Sequence, residues 1–334
     1  MSERAPPPPT YPPSLRKGRG EEPRLAFRFG GTVGKLLGLS TVNLLLTVVT
    51  IGVYRFWARV RVRRYLWSHM ALGGEPFEYT GSGLELFVGF LIAVFGFIVP
   101  LTLGYRFVEF VIQSRAPELE SVADAIFFTG FLFLYGVALY RARRFRFSRT
   151  LWRGIRFAQS GSSAIYGRKF LAYQLLSIVT LGWFVPEKNL RLWAFAINHS
   201  FYGGVPFRFR GAGHELYRPF AVSWFLFLPT LGLSYLWYKA AEFRFVASRT
   251  RFQDLRMEFR SSGGQLFRHV ALNAVLFIVT LSFGNAFIQR RNARFIAANL
   301  RLIGEPDFEA IAQSATAMPG VGEGLAEAFD LGTV

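Results

Sequence analysis

The chain has 334 residues, of which 51% are hydrophobic and 17% aromatic, and it also carries 39 Lys and Arg for a net charge of +18. Its mean hydropathy is nevertheless positive, at +0.28. Apolar and basic residues are therefore segregated along the chain: apolar blocks of about twenty residues, long enough to cross a hydrocarbon core of about 30 Å as helices, alternate with Arg-rich connectors. This pattern predicts an integral membrane protein and argues against a soluble one.

The cysteine content and the position of the charges exclude further classes. The chain contains no cysteine, so disulfides, thiol catalysis and Cys-ligated metal sites are excluded. The arginines stand at the ends of apolar blocks, which favours contact with anionic lipid headgroups over nucleic-acid binding. No apolar segment follows Met1, so we expect no signal peptide.

The two ends of the chain differ from the middle. Residues 1–23 are rich in proline and charge, which predicts a disordered tail. Residues 305–334 carry six acidic residues and no Lys or Arg, which predicts a flexible acidic tail and leaves open a protein partner for it.

Between the tails, the chain resembles itself at fixed offsets. At an offset of 130, Thr50 aligns with Thr180 and His69 with His199. A shorter third copy aligns at an offset of 230, where Asn43 matches Asn273. Such offsets indicate three partial internal repeats: copy 1 at 24–148, copy 2 at 149–255 and a truncated copy 3 at 256–304.

The apolar blocks predict an all-α integral membrane protein of about six transmembrane helices, with Arg-rich interfacial helices and short aromatic-x-aromatic strands or clasps. The predicted helices are 36–56, 84–105 and 122–140 in copy 1, 170–186 and 220–238 in copy 2, and 266–288 in copy 3. As an alternative, the first helix re-enters the membrane, with breaks at Gly38 and Gly52.

Small polar residues recur on one face of the repeated first helix. Asn43, Thr47 and Thr50 are spaced i, i+4 and i+7 and share a face. Together with their counterparts they form a candidate polar seam: Asn43, Thr47, Thr50, Ser177, Thr180, Asn273 and Thr280. Such groups either pack neighbouring helices together or line a path for a polar solute.

An Arg- and Trp-rich segment follows the first helix. So many charges are costly inside a bilayer, whereas at its surface arginines reach phosphates and tryptophans lie at headgroup level. The candidate headgroup contacts are Trp57, Arg59, Arg61, Arg63, Arg64 and Trp67.

A motif of two aromatics, two glycines and a glutamate opens the next apolar helix in copies 1 and 2. Its residues are Phe77, Tyr79, Gly81, Gly83 and Glu85, and then Phe207, Phe209, Gly211, Gly213 and Glu215. Aromatics of this kind anchor chains at membrane interfaces. A carboxylate at the start of a helix is stabilised by the exposed amides and the helix dipole.

Four ionisable residues are candidates for acid–base catalysis. A membrane enzyme acting on lipid-linked substrates would use His69, His199, Glu85 and Glu215 as acid–base groups. However, the sequence contains no nucleophile–base pair, metal-ligand cluster or nucleotide-binding loop. We therefore expect no enzymatic activity, no cofactor and no bound metal.

Several of these residues resemble a known family. They are Phe27-x-Phe29, the run Leu45-Leu46-Thr47-x-x-Thr50-x-Gly52-x-Tyr54-x-Phe56-Trp57-Ala58, then Arg63-Arg64-Tyr65 and Phe77-x-Tyr79-x-Gly81. They are similar to the YjgN-type family of bacterial inner-membrane proteins of unknown function, and the likeness covers nearly all of 24–314. The resemblance implies a multi-pass protein of the bacterial inner membrane and implies no activity.

Three hypotheses for function follow. The first is a structural or transport-type helical membrane protein, with the polar seam between its helices. The second is an interfacial module of the cell envelope that interacts with lipids or proteins, and the third is the membrane enzyme described above.

Overall fold

The computed structural model describes residues 24–280, 285–304 and 311. Ten short strands form one closed antiparallel β-barrel. The strands are β1 (Arg24–Phe29), β2 (Met70–Leu72), β3 (Glu75–Tyr79), β4 (Thr150–Trp152), β5 (Ile155–Gln159), β6 (Ser200–Tyr202), β7 (Val205–Phe209), β8 (Thr250–Phe252), β9 (Leu255–Phe259) and β10 (Leu300–Ile303). At three to six residues they are too short for a transmembrane barrel, whose strands need about 9–11.

Helical hairpins form every second connection between consecutive strands: β1 to β2, β3 to β4, β5 to β6, β7 to β8 and β9 to β10. The helices are α1 (Val33–Val49), α2 (Arg55–Ser68), α3 (Gly83–Ala93), α4 (Val99–Arg115), α5 (Glu120–Ser148), α6 (Ser163–Val179), α7 (Val185–Asn198), α8 (Tyr217–Phe225), α9 (Tyr235–Arg249), α10 (Gly263–Val279) and α11 (Asn285–Asn299). A π-helical turn, Val94–Ile98, joins α3 to α4, and 3₁₀ turns at Pro117–Leu119 and Gly213–Leu216 precede α5 and α8.

All helical connections leave from the same end of the barrel. Strands β2–β3, β4–β5, β6–β7 and β8–β9 are joined by tight turns, while β1 pairs with β10 to close the barrel. Because neighbouring strands are antiparallel, every tight turn lies at one end and every helical hairpin at the other. Helices that are neighbours in the chain contact each other directly or through the π-helical and 3₁₀ turns between them, and α11 returns to contact α1.

Apolar cross-strand pairs fill the barrel. Inward-facing residues of neighbouring strands stand directly opposite each other in five pairs: Phe27–Leu72, Phe77–Trp152, Phe157–Tyr202, Phe207–Phe252 and Met257–Leu302. They leave an apolar cavity of only about 100 Å³. Ile311 packs into the same cluster and is 5% exposed. The interior of the barrel is therefore a largely packed apolar core.

The prediction of an all-α protein with six transmembrane helices is wrong. Within the described residues, only the helices Gly83–Arg115 and Glu120–Ser148 are long and apolar enough to cross a membrane. The predicted spans 84–105 and 122–140 lie inside these two helices.

The remaining predicted spans are interrupted. The predicted helix 36–56 ends at Val49 and turns back, because residues 50–54 form a turn. Turns interrupt the predicted helices 170–186 and 220–238 in the same way. In 266–288 the helix stops at Val279, and residues 281–284 lie outside the described part. The two predicted tails also lie outside it, except for Ile311. The described chain contains five units of a strand followed by a helical hairpin. This divides the chain more finely than the three predicted copies.

Candidate functional site

Four of the five hairpins have short return helices, namely α1–α2, α6–α7, α8–α9 and α10–α11. Three of these short hairpins turn in the same way. After α1, the Thr50 hydroxyl accepts a hydrogen bond from the Tyr54 backbone N–H at 2.9 Å. Gly52 has a φ of +87°, which L-residues with a side chain rarely adopt. The equivalent residues of the other two turns, Thr180 with Gly182 and Thr230 with Gly232, repeat both features. The Thr-x-Gly triplet therefore ends the first helix and starts the return.

The tips of these hairpins expose large apolar side chains. Ile51 is 95% exposed, Leu231 92% and Leu181 80%. The exposed surface continues along the first helices, for example at Val48 and Val49 of α1. A soluble protein rarely presents so much contiguous apolar surface, so these tips face a membrane or a partner.

The length of the return helix limits how deep each hairpin reaches. Helix α2 has 14 residues and rises about 21 Å, less than the hydrocarbon thickness of about 30 Å. In contrast, the continuous helix Gly83–Arg115 has 33 residues and α5 has 29, so both exceed that thickness. Only 17% and 11% of their most apolar stretches are buried, unlike the core helices of a soluble protein.

In three of the five hairpins, an arginine on the second helix bonds to a junction between strand and helix at the barrel. Arg64 Nη2 donates to the Gly81 carbonyl at 2.8 Å, and Arg244 Nη1 donates to the Ser261 carbonyl at 2.6 Å. Arg290 Nε donates to the carbonyl of Gly31 at 3.1 Å, across the closing point of the ring. Charge-assisted bonds of this kind satisfy carbonyls at the junctions between strand and helix. These arginines make hydrogen bonds within the protein, although Arg64 and Arg244 remain exposed.

Glutamates at the hairpin bases act in the same structural way. The backbone N–H of Glu85 donates to the Ser82 hydroxyl at 3.2 Å and the Glu85 carboxylate accepts from the Ser82 N–H, which completes a capping box. The other carboxylate oxygen of Glu85 pairs with Arg149 at 2.6 Å. Glu215 pairs with Arg249 at 2.5 Å. The stabilising role at a helix start therefore fits both glutamates.

The residues of the predicted polar seam lie in three separate hairpins. Asn43 Nδ2 donates to the Ala58 carbonyl at 3.3 Å, within the first hairpin. Thr47, Thr50, Ser177, Thr180 and Thr280 donate to carbonyls three or four residues earlier in their own helices. Asn273 bonds Asn292 at 2.8 Å, within the last hairpin. The structure does not bring the three groups together.

The predicted headgroup contacts divide into two groups. Arg63 is buried and donates to the Tyr79 hydroxyl at 2.9 Å. Trp67 donates to the Thr150 hydroxyl at 3.1 Å. Trp57 packs against Phe87, and Arg59 is half-buried. Arg61 and Arg64 are both exposed, but Arg64 is already bonded to the barrel junction as described. Exposed Arg61 remains the best placed of these to reach a lipid headgroup.

The remaining motif residues have internal contacts. Phe77 and Phe207 face the barrel interior, and Tyr79 and Phe209 pack where the barrel meets the helices. A Cβ on Gly83 would lie 2.9 Å from the Trp57 Cα. A Cβ on Gly81, Gly211 or Gly213 would also come too close to neighbouring side chains. His69 Nδ1 donates to the Tyr65 carbonyl at 2.8 Å and His199 Nδ1 to the Phe195 carbonyl at 2.7 Å.

Three arginines at the hairpin bases were missed by the sequence analysis. Arg168, Arg218 and Arg268 stand 50 residues apart, near the starts of α6, α8 and α10, and all three are exposed. Within the part of the chain that the structure describes, none of them forms an ion pair. Their fixed spacing was a signal, but the copies at an offset of 50 were not recognised.

A polar cluster in the last hairpin was also missed. His269 Nε2 lies 2.8 Å from Asn292 Oδ1, and Arg291 Nε donates to Asn273 Oδ1 at 2.8 Å. The i, i+4 spacing of His269 and Asn273 was the available signal. All four residues lie in α10 and α11, so the cluster links the two arms of one hairpin.

Burial also affects a tyrosine inside the barrel. Desolvation raises the pKa of Tyr202 to about 12. Its hydroxyl donates to the Trp152 carbonyl at 2.8 Å. Tyr202 therefore stays neutral and acts as a structural donor.

Comparison with known proteins places the chain in a family. The family described as "Bacterial protein of unknown function (DUF898)" matches residues 24–236 and 224–328. The inner membrane protein YjgN of Salmonella typhimurium is 41% identical over 75 residues, which cover 22% of this chain and 19% of the relative. YjgN of Escherichia coli K12 is 38% identical over 73 residues, covering 22% and 18%.

The chain thus spans about a fifth of the length of the curated relatives it matches. No solved structure matches it. The relatives are named as inner membrane proteins, which agrees with the two long apolar helices and supports a bacterial inner-membrane protein. The resemblance to YjgN noted in the sequence is confirmed, and the chain belongs to the DUF898 family of bacterial proteins of unknown function.

Proposed function

We propose that this protein is a lipid-binding module of the inner membrane, built from five repeated units of one helical hairpin each. The long hairpin, formed by Gly83–Arg115 and Glu120–Ser148, crosses the bilayer twice. The short hairpins enter the leaflet next to the barrel and return. The observation that carries the proposal is the set of exposed apolar tips on hairpins whose two arms return to the same end of the barrel.

This geometry favours lipid binding over transport of a polar solute. The barrel interior is lined by apolar side chains and leaves a cavity of about 100 Å³. The small polar residues form bonds inside separate hairpins, as Asn43 and Asn273 do. A polar solute would find few hydrogen-bonding groups along the barrel axis to replace its hydration.

The distribution of charge favours a barrel on the cytoplasmic side. The end of the long hairpin farthest from the barrel, residues 106–124, carries four acidic residues and two arginines. The acidic residues are Glu109, Glu118, Glu120 and Asp124, and the other 37 Lys and Arg of the chain lie outside this segment. Positively charged loops remain preferentially in the cytoplasm. The base arginines Arg168, Arg218 and Arg268 then lie at headgroup level in the cytoplasmic leaflet.

Energy transfer tests whether these arginines select anionic lipids. The full chain is reconstituted into phosphatidylcholine vesicles with traces of pyrene-labelled phosphatidylglycerol or pyrene-labelled phosphatidylcholine, and transfer from the seven native tryptophans is recorded. We expect stronger transfer to the anionic lipid, and expect that preference to be largely lost when Arg168, Arg218 and Arg268 are all changed to Gln, because each basic residue contributes about 1 kcal/mol.

A second triple variant serves as the matched control. Arg208, Arg251 and Arg256 are exposed on the outer wall of the barrel, directly opposite one another on adjacent strands. Changing these three to Gln removes the same charge away from the hairpin bases, so the lipid preference should persist. Equal loss in the two variants, or no preference in the unaltered protein, would rule out the proposed headgroup contacts.

A further inference from the structure

An apolar groove runs between the two arms of the long hairpin. Its volume is about 170 Å³, and its walls include Phe97 and Thr102 on one arm and Phe127 and Phe131 on the other. Phe97 belongs to the π-helical turn that joins α3 to α4. Such turns are frequent at functional sites. Phe97 is 44% exposed, so the groove is open to its surroundings.

Of the described residues that line the groove, Arg141 alone is charged, and it lies at the end nearest the barrel. It is exposed, and within the described residues it has no acidic partner. The groove therefore combines an apolar body with a cationic end.

The dimensions of the groove match one leaflet of a bilayer. Phe127 and Arg141 are 14 positions apart on α5, a rise of about 21 Å. One leaflet is about 20 Å thick when its headgroup region is included. With Arg141 at headgroup level, the groove extends through the depth of the leaflet next to the barrel, where lipid is the molecule available to fill it.

We propose that this groove binds one anionic phospholipid, with an acyl chain between α4 and α5 and its phosphate on Arg141. A guanidinium pairs with phosphate oxygens through two parallel hydrogen bonds. Because no acidic residue in the described part of the chain neutralises Arg141, a lipid with net negative charge is preferred over a zwitterionic one. The inference rests on the proposed function in one respect, that the long hairpin crosses the bilayer.

Native mass spectrometry of the detergent-solubilised full chain tests the groove. Phosphatidylglycerol or phosphatidylcholine is titrated in, and the adduct with one lipid is quantified. We expect the first phosphatidylglycerol to bind about fivefold more tightly than phosphatidylcholine, the effect of one basic residue, and Arg141→Gln to remove that difference. Thr102→Trp, at an exposed position on the groove wall, should fill the groove and abolish the one-lipid adduct for both lipids.

Two controls separate this site from general headgroup attraction. Arg115→Gln removes an exposed arginine at the far end of the same hairpin and should bind lipid like the unaltered protein. The triple variant of Arg168, Arg218 and Arg268 should keep the one-lipid adduct even though it loses overall preference for anionic lipid. The groove proposal is overturned if Arg141→Gln retains the preference or if the adduct persists in Thr102→Trp. Whatever the result for the groove, energy transfer in the triple variant tests the proposed function separately.

Discussion

The long hairpin and the short hairpins share a base and differ in depth. In the first short hairpin, Thr50-Ile51-Gly52 forms the turn, whereas in the long hairpin the similar triplet Thr102-Leu103-Gly104 stays within α4. The return arms differ accordingly: α2, α7, α9 and α11 have 14 or 15 residues and α5 has 29. The triplet permits a turn, and the length of the return arm determines how far the hairpin extends.

The largest expected effect concerns the base shared by both kinds of hairpin. Gly83→Val would place side-chain atoms against the Trp57 backbone, where a Cβ already comes within 2.9 Å of the Cα. Overpacking of this kind costs about 3 kcal/mol of unfolding free energy. Thermal unfolding in detergent, followed by tryptophan fluorescence, measures it. Gly130→Ala is the control, since a Cβ there meets nothing within 4 Å, and comparable losses in both variants would contradict the close contact.

A smaller effect separates the two triplets directly. Gly52→Ala should destabilise the protein by about 1–2 kcal/mol, because its φ of +87° is unfavourable for alanine. Gly104→Ala should stabilise it by about 0.5–1 kcal/mol, because Gly104 lies within a regular helix. The same unfolding assay compares the two variants. Changes of the same sign would show that the two triplets do not differ in backbone conformation.

The smallest effect compares the two ion pairs at the bases. Glu85→Gln should cost about 1 kcal/mol, because the Arg149 side chain is only 9% exposed and loses its carboxylate. Glu215→Gln should cost about 0.5 kcal/mol or less, because the Arg249 side chain is 46% exposed and remains hydrated. Unfolding of both variants at matched ionic strength tests the order, and a larger loss for Glu215→Gln would reverse it.

Much of the local structure was readable from the sequence. The apolar blocks 84–105 and 122–140 lie in the two longest helices, and the segments around Phe27, Phe77 and Phe207 are strands. The alternative prediction, a re-entrant first helix with breaks at Gly38 and Gly52, correctly placed a turn at Gly52. The break predicted at Gly38 is absent, because Gly38 lies within α1.

The barrel was not predictable in the same way. Its three-residue strands, such as Met70–Leu72, are too short to show an alternating pattern. Its closure joins β1 to β10, with Arg24 opposite Ile303, and no local signal specifies so distant a pair. The longer second hairpin also obscured the 50-residue spacing that relates Phe27 to Phe77, and with it the equivalence of Arg168, Arg218 and Arg268.

Thiol labelling can measure how deeply the short hairpins enter the membrane. Because the chain has no cysteine, single cysteines can replace Ile51 at a short tip, Ser114 near the far end of the long hairpin and Asp254 at the tight-turn end of the barrel. Each variant is treated with a membrane-impermeant thiol reagent from one side of sealed, oriented vesicles. We expect Ser114→Cys and Asp254→Cys to react from opposite sides, and Ile51→Cys to react from neither until detergent is added. Reaction of Ile51→Cys from the same side as Ser114→Cys would show that the short hairpins cross the membrane and would contradict the account.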